Sequence, residues 1–80
     1  MKEKIKFLSI GFNNYISTEK IVAIAGTNTN PIKKAIRQAK SDNKLIDCTM
    51  GKKVKSAIFM DNGSIVLSAI APLTLAQRLE

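Results

Sequence analysis

The sequence predicts an α+β domain: a small, mostly antiparallel sheet with one central amphipathic helix and a short C-terminal helix. Three observations carry that prediction. Short apolar, β-branched-rich runs recur between turn residues, one segment alone has clear helical periodicity, and Pro72 opens an apolar C-terminal stretch. Strands, a helix, more strands and a terminal helix, in that order, describe helices packed on an antiparallel sheet.

The elements follow in turn. Lys4 to Ile10 is mostly apolar with Lys4 and Lys6 interleaved, and reads as a strand. Gly11-Phe12-Asn13-Asn14 reads as a turn, because Gly and Asn tolerate positive φ. Tyr15 and Ile16 add a short extended piece. Lys20 to Ala25 is rich in β-branched residues and bounded by Gly26, which makes it a second strand. Asn30 is placed to cap a helix, with Pro31 at the first helical position, where a missing N–H costs nothing. Ile32, Ala35, Ile36 and Ala39 then fall at i, i+3, i+4 and i+7 as one apolar stripe, opposite Lys33, Lys34, Arg37 and Lys40. Ser41-Asp42-Asn43 ends that pattern. Leu45 to Thr49 is a short strand, followed by a connection at Met50-Gly51-Lys52-Lys53. Val54 to Met60 and Ser64 to Ile70 form a hairpin across Asp61-Asn62-Gly63. The second of these strands is apolar nearly throughout, as expected of a central strand covered on both faces. The last helix, from Pro72, places its apolar residues at Leu73, Leu75, Ala76 and Leu79.

Bulk properties bound what such a chain can do. Eighty residues make a single domain, 1–80, and a chain of that size buries only about 60% of the surface its unfolded form exposes. Small domains gain support from disulfides, metals or partners. Cys48 is the only cysteine and there is no histidine, so an intrachain disulfide is impossible. A structural zinc site, which needs about four such ligands, is excluded too. Self-association is the support that remains. A single thiol suits a reducing cytoplasm, and no apolar run is long enough to span a bilayer or to form a signal-peptide core. The expectation is a cytoplasmic protein with no membrane, metal, cofactor or small-molecule partner.

Catalysis is not expected. Without histidine the usual proton shuttle near neutral pH is missing, and Ser-His-Asp or Cys-His arrangements cannot be built. Asp42 and Asp61 fall in turns, while Glu3 and Glu80 lie at the termini, so no paired-carboxylate site emerges. Asp47 is read as a structural hydrogen bond or salt bridge, and Cys48 as a small core residue. Gly51-Lys52-Lys53 lacks the spacing and the Ser/Thr of a phosphate-binding P-loop.

Charge is the strongest remaining signal. Thirteen basic residues against six acidic ones give a net charge of +7, and nucleic acid is the commonest anionic partner of such a domain. Lys33, Lys34 and Arg37 form a cationic helix face that is either solvated or supporting. Lys52, Lys53 and Lys55 crowd a glycine-led turn where a strand begins. Their mutual repulsion makes sense if an anion neutralises them. With aromatics confined to Phe7, Phe12, Tyr15 and Phe59, a stacking platform for single strands is disfavoured and backbone contact with a duplex is favoured.

An ordered set of short motifs runs through the whole chain. Ile10-Gly11-Phe12-x-Asn14, Pro31-Ile32-Lys33, Leu45-Ile46-Asp47-x-Thr49-x-Gly51, Met60-Asp61, Leu67-Ser68-Ala69 and Ala76-Gln77-Arg78-Leu79 together resemble the RemA family of extracellular matrix regulatory proteins. The resemblance implies a bacterial DNA-binding transcriptional regulator that works as a ring-like homo-oligomer and activates matrix (biofilm) genes. It further implies DNA contact at Lys20 and at Lys52-Lys53, where the family carries arginines, and a role for Pro31 in shaping the helix start. Lysine neutralises phosphate but lacks the planar fork that reads guanine. Asn13 stands in place of the family's second glycine in the first turn, and Cys48 and Met50 replace a small residue and an aromatic. The site expected is therefore Lys20, Lys52, Lys53 and Lys55 on double-stranded DNA, with Lys33, Lys34 and Arg37 in support. The competing reading is a structural or protein-interaction module whose charge serves solubility or an acidic partner. RNA binding is a third.

Overall fold

The computed structural model describes residues 6–79. Lys4 and Ile5, expected to begin the first strand, lie outside them, as do Glu3 and Glu80. Within the described chain β1 (Phe7–Gly11) and β2 (Asn14–Ser17) form a hairpin, and a single 3-10 turn (Thr18–Lys20) leads into β3 (Ile21–Gly26). Then come α1 (Asn30–Ser41), β4 (Leu45–Asp47), β5 (Ser56–Met60), β6 (Ile65–Ser68) and α2 (Pro72–Leu79). This is the α+β domain the sequence predicts, with mostly antiparallel strand pairs.

The strands form two sheets rather than one. β1 and β2 pair only with each other, while the second sheet has the order β3-β5-β6-β4. Its β3–β5 and β5–β6 pairs are antiparallel, and β4 lies parallel to β6 because α1 carries the chain over one face before β4 begins. β6 is central, as expected from its apolar run, and all four of its residues are buried.

Strand alternation divides the core in two. Ala57 and Phe59 of β5 and Ile65 and Leu67 of β6 meet Ile32, Ala35, Ile36 and Ala39 of α1 on one face. Ile58 and Val66 face the other way, against Leu8 and Ile10 of β1, Ile16 of β2 and Leu75 of α2. The sheet is thus covered by a helix on one side and by the hairpin with α2 on the other. The helical stripe of α1 packs as its spacing requires. That of α2 does not: Leu75 is fully buried, but Leu73 and Leu79 are exposed. α2 is only eight residues long and rests one side on β1 and β3, so it has nothing to cover its remaining apolar positions.

Several boundaries differ from the sequence reading for local reasons. The residue preceding α1 is Thr29, in an extended conformation and without a side-chain cap, so Asn30 belongs to the helix. Lys20 ends the 3-10 turn instead of starting β3. The strand predicted to reach Thr49 stops at Asp47, whose side chain accepts from the Thr49 N–H at 2.9 Å and from its hydroxyl at 2.7 Å, turning the chain away from β6. β5 and β6 are likewise shorter than predicted, leaving Val54 and Lys55 before β5 and Ala69 and Ile70 after β6.

A two-stranded hairpin has little stability by itself, so β1–β2 depends on its attachment to the larger sheet. Leu8 and Ile10 supply the apolar part, both being almost completely buried. Two serines supply the polar part. Ser56 and Ser68 are register partners on β5 and β6, and both are inaccessible to solvent. Ser68 Oγ donates to the Ile10 carbonyl at 2.9 Å and accepts from the Ile70 N–H at 3.0 Å. Ser56 Oγ donates to the Ile70 carbonyl. Arg78 of α2 adds a bond from Nη1 to the Ser9 carbonyl at 2.8 Å. Removing the Ser68 hydroxyl strands buried backbone groups on both sides of it, at a cost of about 1–3 kcal/mol. Ser68→Ala should therefore lower the unfolding free energy by that amount, read as a lower urea midpoint with an unchanged m-value, whereas a surface control such as Thr74→Ala should leave the unfolding free energy within about 0.5 kcal/mol of wild type.

Candidate functional site

Two turns meet at the end of the large sheet where β5 begins. The first is the β1–β2 connection. Gly11 and Asn14 pair across it, and the two residues between them, Phe12 and Asn13, have φ of 54° and 65°. Positive φ at both central positions marks the hairpin turn that normally selects Asn-Gly. Asn13 accommodates this readily, as expected, but a bulky residue such as Phe12 does so only under strain. The Asn14 amide holds the turn by donating to the carbonyls of Gly11 and Phe12, at 3.1 and 3.3 Å. Gly11 has φ of 100°, and a Cβ there would come within 3.3 Å of the Ile70 side chain. Its missing side chain lets the hairpin tip settle against Ile70.

The second turn, Thr49–Lys52, is closed by a bond from the Lys52 N–H to the Thr49 carbonyl at 3.0 Å. Its central residues Met50 and Gly51 have φ of 53° and 80°. Lys52 and Lys53 leave this turn, and the Lys55 N–H donates to the Ser68 carbonyl at 2.9 Å, which fixes the third lysine to the end of β6. Gly11, Phe12, Lys52, Lys53, Lys55, Ala69 and Ile70 line one groove of about 470 Å³. On its other side Lys53 and Lys55 line a second groove of about 380 Å³ with Thr27, Asn28 and Pro72. Thr27 Oγ1 donates to the Val54 carbonyl at 3.2 Å and ties the start of α1 to the same corner. Lys53 and Lys55 thus stand between two grooves, and with Lys52 on the first of them they form an exposed ridge.

The lysines of this ridge make no salt bridge among the described residues. Apart from Asp47, the acidic groups among the described residues are segregated from them. Glu19 and Asp61 lie where β5 ends, together with Asp42 at the C-terminal end of α1. Asp47 is engaged with Thr49, and these hydrogen bonds hold its carboxyl below the ordinary value near 3.8. Lys33 and Lys34 sit in the first helical turns of α1, where no acidic residue offsets them and the helix dipole is positive. Their charge adds to that of the ridge. Arg37 and Lys40 continue the exposed face toward the opposite end of the molecule.

Lys20 is elsewhere. It sits beside Ile21, which pairs with Met60, whereas Lys55 sits beside Ser56, which pairs with Gly26. The length of the β3–β5 ladder, on the order of 17 Å, therefore separates Lys20 from the ridge within one chain. Lys20 also has a partner: its Nζ lies 3.9 Å from Asp61 Oδ2, with both side chains more than half exposed. The sequence reading brought Lys20 and Lys52-Lys53 into one site; the fold keeps them at opposite ends. It also places Phe12 beside the lysines, a neighbour that the sequence marked as a turn residue and as one of a few scattered aromatics.

No cluster of three or more Cys, Asp or Glu able to hold a metal ion occurs among the described residues. Burial, and then the nearby Asp47 charge, push the Cys48 thiol above its ordinary value, the opposite of what a reactive thiolate requires. No helix among the described residues is long and apolar enough to cross a membrane.

Comparison with known proteins places the chain in a family. The family model for RemA-like proteins, described as extracellular matrix regulatory protein A-like, matches residues 7–79. Relatives sharing the name "Putative regulatory protein" include one from Finegoldia magna, 48% identical over 73 residues, or 91% of this chain and 88% of the relative. Another from Coprothermobacter proteolyticus is 47% identical over 74 residues, covering 92% of this chain and 70% of the relative. A third, from Bacillus cytotoxicus, is 43% identical over 75 residues, covering 94% and 86%. Family and names support a regulatory role.

The Asp47–Thr49 bonds carry a pH signature. A carboxyl whose folded-state pKa is depressed contributes stability that is present above the unfolded value and lost as pH falls through the folded one. Asp47→Asn keeps an acceptor oxygen for Thr49 but cannot titrate. Below about pH 4 its unfolding midpoint should fall less steeply with acid than that of the wild type; parallel acid limbs would show that these bonds do not favour the carboxylate.

Proposed function

The chain belongs to the RemA-like family, and on that premise we propose that it is a DNA-binding transcriptional regulator assembled as a ring-like homo-oligomer. Each subunit contacts the duplex backbone through lysines, and the regulated genes are of the matrix type that the family's description names. The observation that carries this reading is the ridge of Lys52, Lys53 and Lys55. Three exposed cations without acidic partners crowd one corner, and like charges so placed favour a polyanion over bare solvent. Lysine suits this role, since a phosphate backbone asks for charge more than for a planar fork.

The separation of Lys20 from the ridge favours assembly. One subunit presents a few lysines at one end and Lys20 at the other, which is weak for a duplex. Copies arranged in a ring repeat both positions along a curved perimeter, so that contacts multiply through effective concentration. DNA that follows the perimeter bends, and its deformability then contributes to sequence preference without base readout. Exposed apolar residues away from the ridge, among them Phe7, Tyr15, Val22, Ile46 and Leu73, are surface that neighbouring subunits would cover. The reading is one of binding without catalysis, in the cytoplasm.

Duplex affinity should fall with salt by roughly 0.9 log units per log unit of salt for each phosphate neutralised. Lys52→Ala with Lys53→Ala should remove most of that slope and nearly abolish binding, while light scattering shows the oligomer intact. Wild-type-like binding by this double variant would show the site to be wrong. A stable oligomer with no duplex binding at about 100 mM salt would instead favour an interaction module.

A further inference from the structure

We propose that Phe12 is a DNA-contacting wedge, its ring directed at a base step of the duplex whose phosphates the lysine ridge holds. This inference rests on the DNA-binding reading above and deepens it by adding an apolar contact to an electrostatic one.

Phe12 lines the same groove as Lys52, Lys53 and Lys55. The residue is 48% exposed, at the tip of the β1–β2 hairpin. A duplex whose phosphates met those three lysines would bring its groove edge to the hairpin tip. Charge complementarity therefore names the occupant of the groove.

Conformation adds a second reason. The chain holds Phe12 at φ of 54°, where a bulky residue is an outlier and Asn or Gly would be unstrained. Neighbouring positions show what the turn itself asks for: Asn13 takes the other left-handed position, and Asn14 braces both preceding carbonyls. Strain of this kind persists where the side chain has work that the turn alone does not explain. The support is rigid. Gly11 lets the tip close on Ile70, and Ile70 is held at both its N–H and its carbonyl by the buried Ser68 and Ser56.

Apolar side chains such as Phe that enter between base steps unstack them and kink the duplex. A ring of subunits requires bent DNA, and one wedge per subunit would localise that bending at flexible steps such as TA and CA. A lone aromatic fits this role, since a stacking platform for single strands would need several.

The test uses Phe12→Asn, which suits the left-handed position and removes the ring, and Phe12→Leu, which keeps an apolar wedge. Each full-length protein is titrated against mixed-sequence duplexes carrying 2-aminopurine at TA or CA steps, over a range of salt. Light scattering and thermal unfolding are run in parallel. The wild type should raise the 2-aminopurine fluorescence as the step unstacks. Phe12→Asn should stay folded and oligomeric, bind at least about fivefold more weakly, lose the fluorescence rise and keep the wild-type salt slope, because no phosphate contact is lost. Phe12→Leu should retain most of the affinity. The proposal is overturned if Phe12→Asn binds and unstacks as the wild type does, or if its oligomer dissociates, which would make Phe12 a contact between subunits. A wild type that binds no duplex at any salt would remove the DNA-binding reading itself, and the wedge with it.

Discussion

The attachment of the β1–β2 hairpin to the large sheet is the constraint on which the rest of the molecule depends. The hairpin shares no ladder hydrogen bond with that sheet, and two strands alone are marginal in water. Leu8 and Ile10 supply the apolar contact, but burial has no direction and would tolerate a sliding hairpin. The serine pair gives direction. Ser68 joins β6 to Ile10 on one side and Ile70 on the other, and Ser56 closes on Ile70 from β5. A valine or alanine at either place would pack as well and leave carbonyls unpaired. Two hydroxyls therefore fix the hairpin tip beside the lysine turn.

From that register the electrostatics follow. β5 begins beside Lys52, Lys53 and Lys55, with Asp47 engaged by Thr49 at that end, and it ends beside Asp61 and Lys20, so the sheet has a predominantly basic end and a mixed one. The direction of α1 sharpens the contrast, with Lys33 and Lys34 near its positive pole and Asp42 at its other end. Lysines that repel one another cost stability in the free protein, and the strained turns at Phe12 and Met50 add to that cost. Structures commonly hold such local conflicts where they meet a ligand. Here both conflicts fall on the same corner.

Much of this was legible in the sequence, and what was not has identifiable causes. The stripe at Ile32, Ala35, Ile36 and Ala39 fixed α1, and the nearly continuous apolar run over Ser64–Ile70 marked a central strand, because period and burial are written directly in residue type. The crowding of Lys52, Lys53 and Lys55 was visible as adjacency. The second sheet was not, since nothing in Phe7–Ser17 says whether a hairpin extends a sheet by hydrogen bonds or lies across it. The parallel β4 depends on where α1 delivers the chain, a tertiary outcome. Strand ends were overrun wherever a side chain captured the backbone, as Asp47 does at Thr49. Lys20 and the ridge were joined through resemblance to the family's arginines, which gives contact residues but not which subunit of an assembly supplies them. Phe12 was missed as a neighbour of the lysines because about forty residues of chain separate them, and tertiary contacts, the Ser68–Ile10 bond and the Gly11–Ile70 approach among them, bring them together.

On the proposed reading the two turns, Gly11–Asn14 and Thr49–Lys52 with the lysines beyond it, act as one surface toward a duplex. Hydrogen exchange of the backbone amides with and without duplex DNA, at low salt, tests it most directly. Protection gained together over Phe12–Asn14 and Gly51–Lys55, with the outward face of α1 between Arg37 and Ser41 unchanged, is the predicted result. Protection gained along α1 while both turns exchange as in the free protein would contradict the account.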